Sequence, residues 1–154
     1  HNLKHPQLKI VYQGKQEKSI KPKDIKNILI TMQPSFEFTS AYRRIFYRLA
    51  KRHYHIYFKL HPRSNPQREV IEKLCLNDGL EILPIDISIN FALRNIDLHI
   101  TGFSSSAIDA WELGVKTYFL DERAMNLYAN LISKNNAEFF ATARDLEEKF
   151  NNYS

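Results

Sequence analysis

Residues 101–109 read TGFSSSAID, a glycine and three successive serines between a strand-like run and an apolar helical pattern. A helix start exposes amides that have no intrahelical partner, and the helix dipole adds positive charge there, so anions settle at such turns. Gly102 lets the backbone approach a ligand, and Ser104, Ser105 and Ser106 add hydroxyl donors. A phosphate suits that arrangement. One serine would suffice to cap the helix, with Ser106 and Asp109 as a capping-box-like pair, so a run of serines favours ligand contact. A second group is KLHPR, residues 59–63, where Lys59, His61 and Arg63 offer cationic or donor groups to one phosphate. Imidazole, with an ordinary pKa of ~6.5, donates to phosphate in either protonation state, and a neighbouring anion favours the charged one. The plainer alternative is a His-Pro turn ending a strand, with a solvated lysine and arginine.

Other reactive side chains read differently. His99 alternates with Leu98 and Ile100 in an apolar run and is expected to be a hydrogen-bonded core histidine. His53 and His55 fall at a helix end and a strand start, where capping or surface roles suffice. The histidines lack metal-ligand spacing such as HxxxH on a helix, and the single cysteine cannot build a thiolate cage, so no metal site is expected. Neither GxGxxG nor GxxxxGK[ST] occurs, which counts against dinucleotide redox enzymes and P-loop ATPases. Asp121 and Glu122 follow a strand-like run, where a carboxylate can accept ribose hydroxyls or simply favour a helix start.

From residue 27 onward the chain alternates β-rich runs with helical patterns, the mark of βαβ units and a parallel sheet. NILITM, residues 27–32, is continuously apolar, as a strand covered on both faces should be. A helix is expected over 36–53, with Tyr42, Ile45, Phe46 and Leu49 on one stripe. Strands follow at 55–60, 80–83, 97–101 and 116–120, with a short one at 138–140. Helices are expected at 66–77, 88–95, from the serines to Gly114, along a stripe of Ala124, Leu127, Tyr128, Leu131 and Ile132, and at 143–150. Residues 1–26 read as a linker or edge segment and 27–154 as the domain. The expected fold is α/β and doubly wound, a Rossmann-like parallel sheet of about six strands in order 3-2-1-4-5-6 with helices on both faces. Ligands of such sheets lie beyond the carboxyl ends of the strands where the order reverses. The turns at 33–35 and 101–106 then face each other, with 59–63 beside them, and Gln33 joins the candidates.

The 154 residues fit one core, and 44% hydrophobic with 25% charged content is ordinary for a globular chain. The net charge of +5 suits anionic partners without choosing among nucleic acid, phosphometabolite or membrane surface. Arg43, Arg44, Arg48, Lys51 and Arg52 decorate one helix, which reads as a solvated face, with nucleic acid or acidic lipid as the minority alternative. Cys75 lies in an apolar pattern and reads as a buried thiol, which with the lack of an apolar span or signal suggests the cytoplasm. The chain opens on His1, so a piece of a longer protein is expected.

KLHPR after the second strand and HITGFSSSAIDAWELGVKTYFLD around the fourth crossover resemble the C-terminal donor-binding domain of bacterial GT-B glycosyltransferases. The resemblance spans residues 27–151. It is narrowest to enzymes with cytidine-activated donors: sialyltransferases, polysialyltransferases, related capsule enzymes and CDP-glycerol glycerophosphotransferases. It implies that His61 contacts the donor phosphate and stabilises the leaving nucleotide, that Ser104 and Ser105 bind the same phosphate, and that the loop from Pro84 to Asp86 holds the cytosine. Gly102 stands where the glycerophosphotransferase pattern often has an acidic residue. The implied chemistry is metal-free transfer needing no cofactor beyond the nucleotide-activated sugar or glycerol donor. Its general base would sit in an N-terminal acceptor domain, and the full enzyme would touch a membrane peripherally. The competing expectations are a UDP-sugar transferase or epimerase-like domain, and a basic nucleic-acid or membrane-surface module.

Overall fold

The computed structural model describes residues 24–62 and 66–152, so the segment 1–23 read as linker and Arg63 lie outside the described residues. Strands β1 (Asn27–Met32), β2 (His55–Leu60), β3 (Leu80–Ile82), β4 (Leu98–Thr101), β5 (Thr117–Phe119) and β6 (Ala137–Phe139) form one sheet, all parallel, in order β3-β2-β1-β4-β5-β6. This is the doubly wound order expected from the sequence. Parallel strands need a crossover, and here each crossover is helical or carries a helical turn. The helices are α1 (Ser40–Lys51), α2 (Arg68–Leu74), α3 (Ile89–Ala92), α4 (Ser106–Glu112), α5 (Ala124–Leu127), α6 (Ala129–Ser133) and α7 (Ala143–Asn151).

Strand pleating sends alternate side chains to opposite faces. Ile28, Ile30, Ile56, Phe58 and Ile100 pack under α1, α2 and α7, whose Phe46, Leu49, Ile71, Leu146 and Phe150 complete a wholly apolar cluster. The other face is divided. Leu29 packs with Ala92 and Leu93 near α3 and Ala110 of α4, and Phe119 packs with Ala107, Ala124 and Ala137. Between these groups lies a run of buried polar side chains: Thr31, His99, Thr101, Ser106 and Thr117.

The helices expected at 66–77 and 88–95 are shorter, Arg68–Leu74 and Ile89–Ala92, and two others differ from the sequence expectation for a visible reason. The first starts at Ser40 rather than near residue 36, and Gln67 takes the Phe36 carbonyl that a longer helix would bond to the Ser40 amide. Its Oε1 accepts from the Phe38 amide at 2.9 Å and its Nε2 donates to the Phe36 carbonyl. Phe36 and Phe38 are still buried. The stripe from Ala124 to Ile132 is two short helices, broken at Tyr128 with φ −126° and ψ 34°. There the Tyr128 ring stacks on Phe119 at 4.8 Å and its hydroxyl donates to the Phe103 carbonyl at 3.2 Å.

Candidate functional site

The carboxyl ends of β2, β1 and β4 form one rim, and the register sets its layout. Thr31 pairs with Lys59 on one side and Thr101 on the other, so these three stand level and on the same sheet face. One or two residues further on come His61, Gln33 and the turn from Gly102. Neighbouring strands lie about 4.8 Å apart, which puts the β2 and β4 ends roughly 10 Å from each other with β1 between them. The imidazole of His61 and the serine turn therefore share a rim. Lys59 and His61 are both half-buried there.

Gln33 fastens the two central turns together. Its Oε1 accepts from the Phe103 amide at 2.7 Å, while the Thr101 hydroxyl donates to the Thr31 carbonyl at 3.1 Å. Space at 102 is tight: a Cβ there would lie 3.0 Å from Phe36 Cδ1 and 3.1 Å from Gln33 Oε1. The close approach that Gly102 permits is thus to its own neighbours Phe36 and Gln33.

The serines divide their work. Ser105 is exposed, Ser104 is half-buried, and Ser106 is buried with its hydroxyl turned inward. Ser106 Oγ lies 3.0 Å from Thr31 Oγ1 and 3.2 Å from His99 Nε2, so the capping-box-like pairing with Asp109 gives way to bonds into the sheet face. Ser104 Oγ instead accepts from the Ser106 amide at 3.1 Å. The amides of Ala107 and Ile108 bond the carbonyls of Ser104 and Ser105, so the first amides of α4 are used within the turn. Among the described residues no partner is found for the amides of Ser104 and Ser105, which are what the turn keeps available to a ligand.

His99 is fully buried, as expected for a core histidine, and burial lowers its pKa to about 3. Its Nδ1 lies 2.8 Å from Thr117 Oγ1 and its Nε2 3.0 Å from Thr31 Oγ1. Cys75 is half-buried with its thiol pushed up to about 11 by burial and by Glu81, which suppresses the reactive thiolate.

The outer candidates flank this centre. Pro84 and Asp86 are exposed in the loop after β3, and Glu122 is exposed after β5. Four strand spacings, roughly 19 Å, separate those two ends of the rim. Arg123 is a rim cation that reasoning from the sequence passed over in favour of its acidic neighbours. Its guanidinium lies 4.0 Å over the Phe103 ring and bonds Asp121 at 3.0 and 2.7 Å. That bond holds the Asp121 carboxyl below the usual carboxylate range. Only the order Asp-Glu-Arg after a strand could have signalled it. With Asp121, Glu122 and Phe139, Arg123 lines an open pocket at the ends of β5 and β6.

The basic helix face is largely engaged. Arg48 holds Glu147 of α7 at 2.6 and 2.7 Å, Arg52 reaches Asn151, and Arg43 donates to the Phe38 carbonyl. Arg43 and Arg44 line a groove with Lys73 between α1 and α2. Among the described residues no group of three His, Cys, Asp or Glu could hold a metal ion, and no helix is long and apolar enough to cross a membrane.

Sheet order and rim define a doubly wound α/β domain whose polar groups gather at the switch point between β1 and β4, where such sheets receive ligands. Residues 29–108, just over half of the chain, match the family described as Alpha-2,8-polysialyltransferase (POLYST), and the chain belongs to that family of glycosyltransferases. The matched stretch runs from β1 into α4 and includes both His61 and the serine turn. A similar solved structure is Thermosulfurimonas dismutans KpsC, a beta Kdo 2,4 transferase, with a TM-score of 0.43 and 14% identity. The similarity covers 76% of this chain and 46% of that one, so the chain spans less than half of its length. No curated protein matches the chain in sequence.

Proposed function

We propose that this domain is the donor-nucleotide half of a GT-B glycosyltransferase of bacterial surface polysaccharide synthesis, working in the cytoplasm with a cytidine-activated donor. The observation that carries the proposal is the common rim. The His61 end of β2 and the Ser104–Ser105 end of β4 flank β1, inside the segment that matches the family. His61, the hydroxyls of Ser104 and Ser105 and their amides would hold the phosphate, with Lys59 adding charge. Glu122 is an outer contact, and the backbone from Pro84 to Asp86 takes the base.

The reaction breaks the bond between the sugar's anomeric carbon and the phosphate oxygen, and the electron pair leaves with the nucleotide. The acceptor's hydroxyl oxygen forms the new bond, and its proton passes to a base on a separate acceptor domain. What the rim contributes is donors placed where negative charge builds, the kind of stabilisation that usually dominates such steps. The transfer as proposed uses no metal or further cofactor, and the domain by itself would bind nucleotide without transferring the sugar. A membrane contact, if the full enzyme makes one, would be peripheral.

Calorimetry with CMP and UMP tests this reading. CMP should bind more tightly than UMP, and His61→Ala or the pair Ser104→Ala and Ser105→Ala should weaken CMP by about 1 to 3 kcal/mol, as for hydrogen bonds to charged groups. Equal affinity for UMP would refute the cytidine assignment, and unchanged affinity in both variants would remove the site.

A further inference from the structure

We propose that His99 is a positioning residue that acts through Thr31 and Ser106 to fix the Ser104 hydroxyl as a hydrogen-bond donor facing the rim. This rests on reading the rim as a phosphate site. The argument is a count of protons, since each hydroxyl carries one and a neutral imidazole carries one. Ser106 Oγ donates to Ser104 Oγ at 2.9 Å and so has no proton for Thr31 or His99. The 3.0 Å contact between Thr31 and Ser106 then takes the Thr31 proton. The contacts of His99 Nε2 at 3.0 Å to Thr31 and 3.2 Å to Ser106 therefore need a proton on Nε2, which leaves Nδ1 to accept from Thr117 at 2.8 Å. The other tautomer leaves either the contact of Thr31 with Ser106 or that with Nε2 lacking a proton.

The order ends at Ser104. Its oxygen already accepts from the Ser106 hydroxyl and the Ser106 amide, and no acceptor for its own proton is found among the described residues. Ser104 can give a hydrogen bond and has little capacity to receive one. A phosphate oxygen, rich in lone pairs, fits that state, and a ligand ammonium, which can only donate, does not. Burial, which lowers the His99 pKa to about 3, keeps the imidazole neutral and the order intact near neutral pH.

Nitrogen-15 NMR of histidine-labelled full chain reads the tautomer directly. The expected signal is neutral His99 protonated at Nε2, and protonation at Nδ1 would overturn the proton order whatever the ligand. NMR titrations with CMP and with cytidine read the consequence. Ser106→Ala should weaken CMP about fivefold to tenfold while cytidine changes by less than about twofold. His99→Gln, whose amide can donate toward Thr31 and accept from Thr117, should keep more of the CMP preference than His99→Phe. Equal loss for CMP and cytidine in Ser106→Ala, or no loss, would reduce the cluster to core packing while the phosphate site stands. A wild-type chain that does not bind CMP would remove the phosphate site and the role of Ser104 with it.

Discussion

Ser104 and Ser105 are adjacent and chemically identical, yet the fold places them in different conditions. Ser105 meets water with no cap bond from its side chain, whereas Ser104 is tied by two bonds to Ser106. A similar contrast separates the carboxylates. Glu122 is exposed, but Glu138 sits among Lys116 at 2.9 Å and Lys149 at 3.2 Å, linking β6 to the start of β5 and to α7. Burial pushes the Glu138 carboxyl up, and the hydrogen bonds and charges of the two lysines outweigh it, so the net shift is downward. A carboxylate shifted down in the fold adds stability that is complete above its unfolded pKa and fades as pH falls through the folded one. Glu138→Gln should therefore cost roughly 1 kcal/mol at neutral pH, discounted for partial exposure, and almost nothing once the carboxyl is protonated. Denaturant titrations at pH 7 and below pH ~3 check this, and an equal cost at both would assign the loss to packing.

Elements were legible from the sequence where burial on both faces leaves a plain mark. NILITM reads as a central strand because its last five residues are buried, and the apolar runs with Gly and Pro breaks carry the whole β-α alternation. The order of strands and the rim that holds Lys59, His61, Gln33 and the serine turn followed from the rules of doubly wound sheets. What the sequence did not carry are contacts between elements that no local pattern announces. Gln67 of the loop before α2 bonds the backbone ahead of α1, and Arg123 reaches the rim by lying on Phe103. The inward turn of Ser106 was equally hidden, because it depends on how α4 seats on the sheet beside His99. Gly102 shows how tightly those elements fit. Its replacement by alanine must displace Phe36 or Gln33, and Gln33 is the residue that joins the β1 and β4 turns. Gly102→Ala should cost about 1 to 3 kcal/mol, as overpacking does, and weaken CMP in the same variant. A variant with normal stability and normal CMP binding would show that the two turns do not depend on this contact.

On the scale of the whole molecule, the two faces of the sheet are unequal. The face under α1, α2 and α7 is an apolar cluster, while the face under α4 carries Thr31, His99, Ser106 and Thr117 up to the ligand rim. That polar run has a global consequence, because its central imidazole cannot take a proton without breaking the order around it. His99 faces hydroxyls from β1, β5 and α4, and among the described residues none of its hydrogen-bond partners is a carboxylate that could compensate a charge. In the unfolded chain the imidazole protonates at an ordinary pKa of ~6.5, whereas in the fold it stays neutral down to about 3. Between those values the unfolded state binds one proton more, so stability is complete above the unfolded pKa and is lost as pH falls toward the folded one. From pH ~6.5 to ~5 the loss should reach about 1.6 kcal/mol, the slope growing toward 1.36 kcal/mol per unit as the unfolded imidazole fills. The carboxylates held down by Arg123, Arg48 and the lysines stay ionised through that window, which separates their acid response from that of His99. Urea unfolding at the two pH values should therefore show the loss in the wild type and little of it in His99→Gln, which has no proton to gain. The same loss in both proteins would place the acid sensitivity elsewhere in the chain.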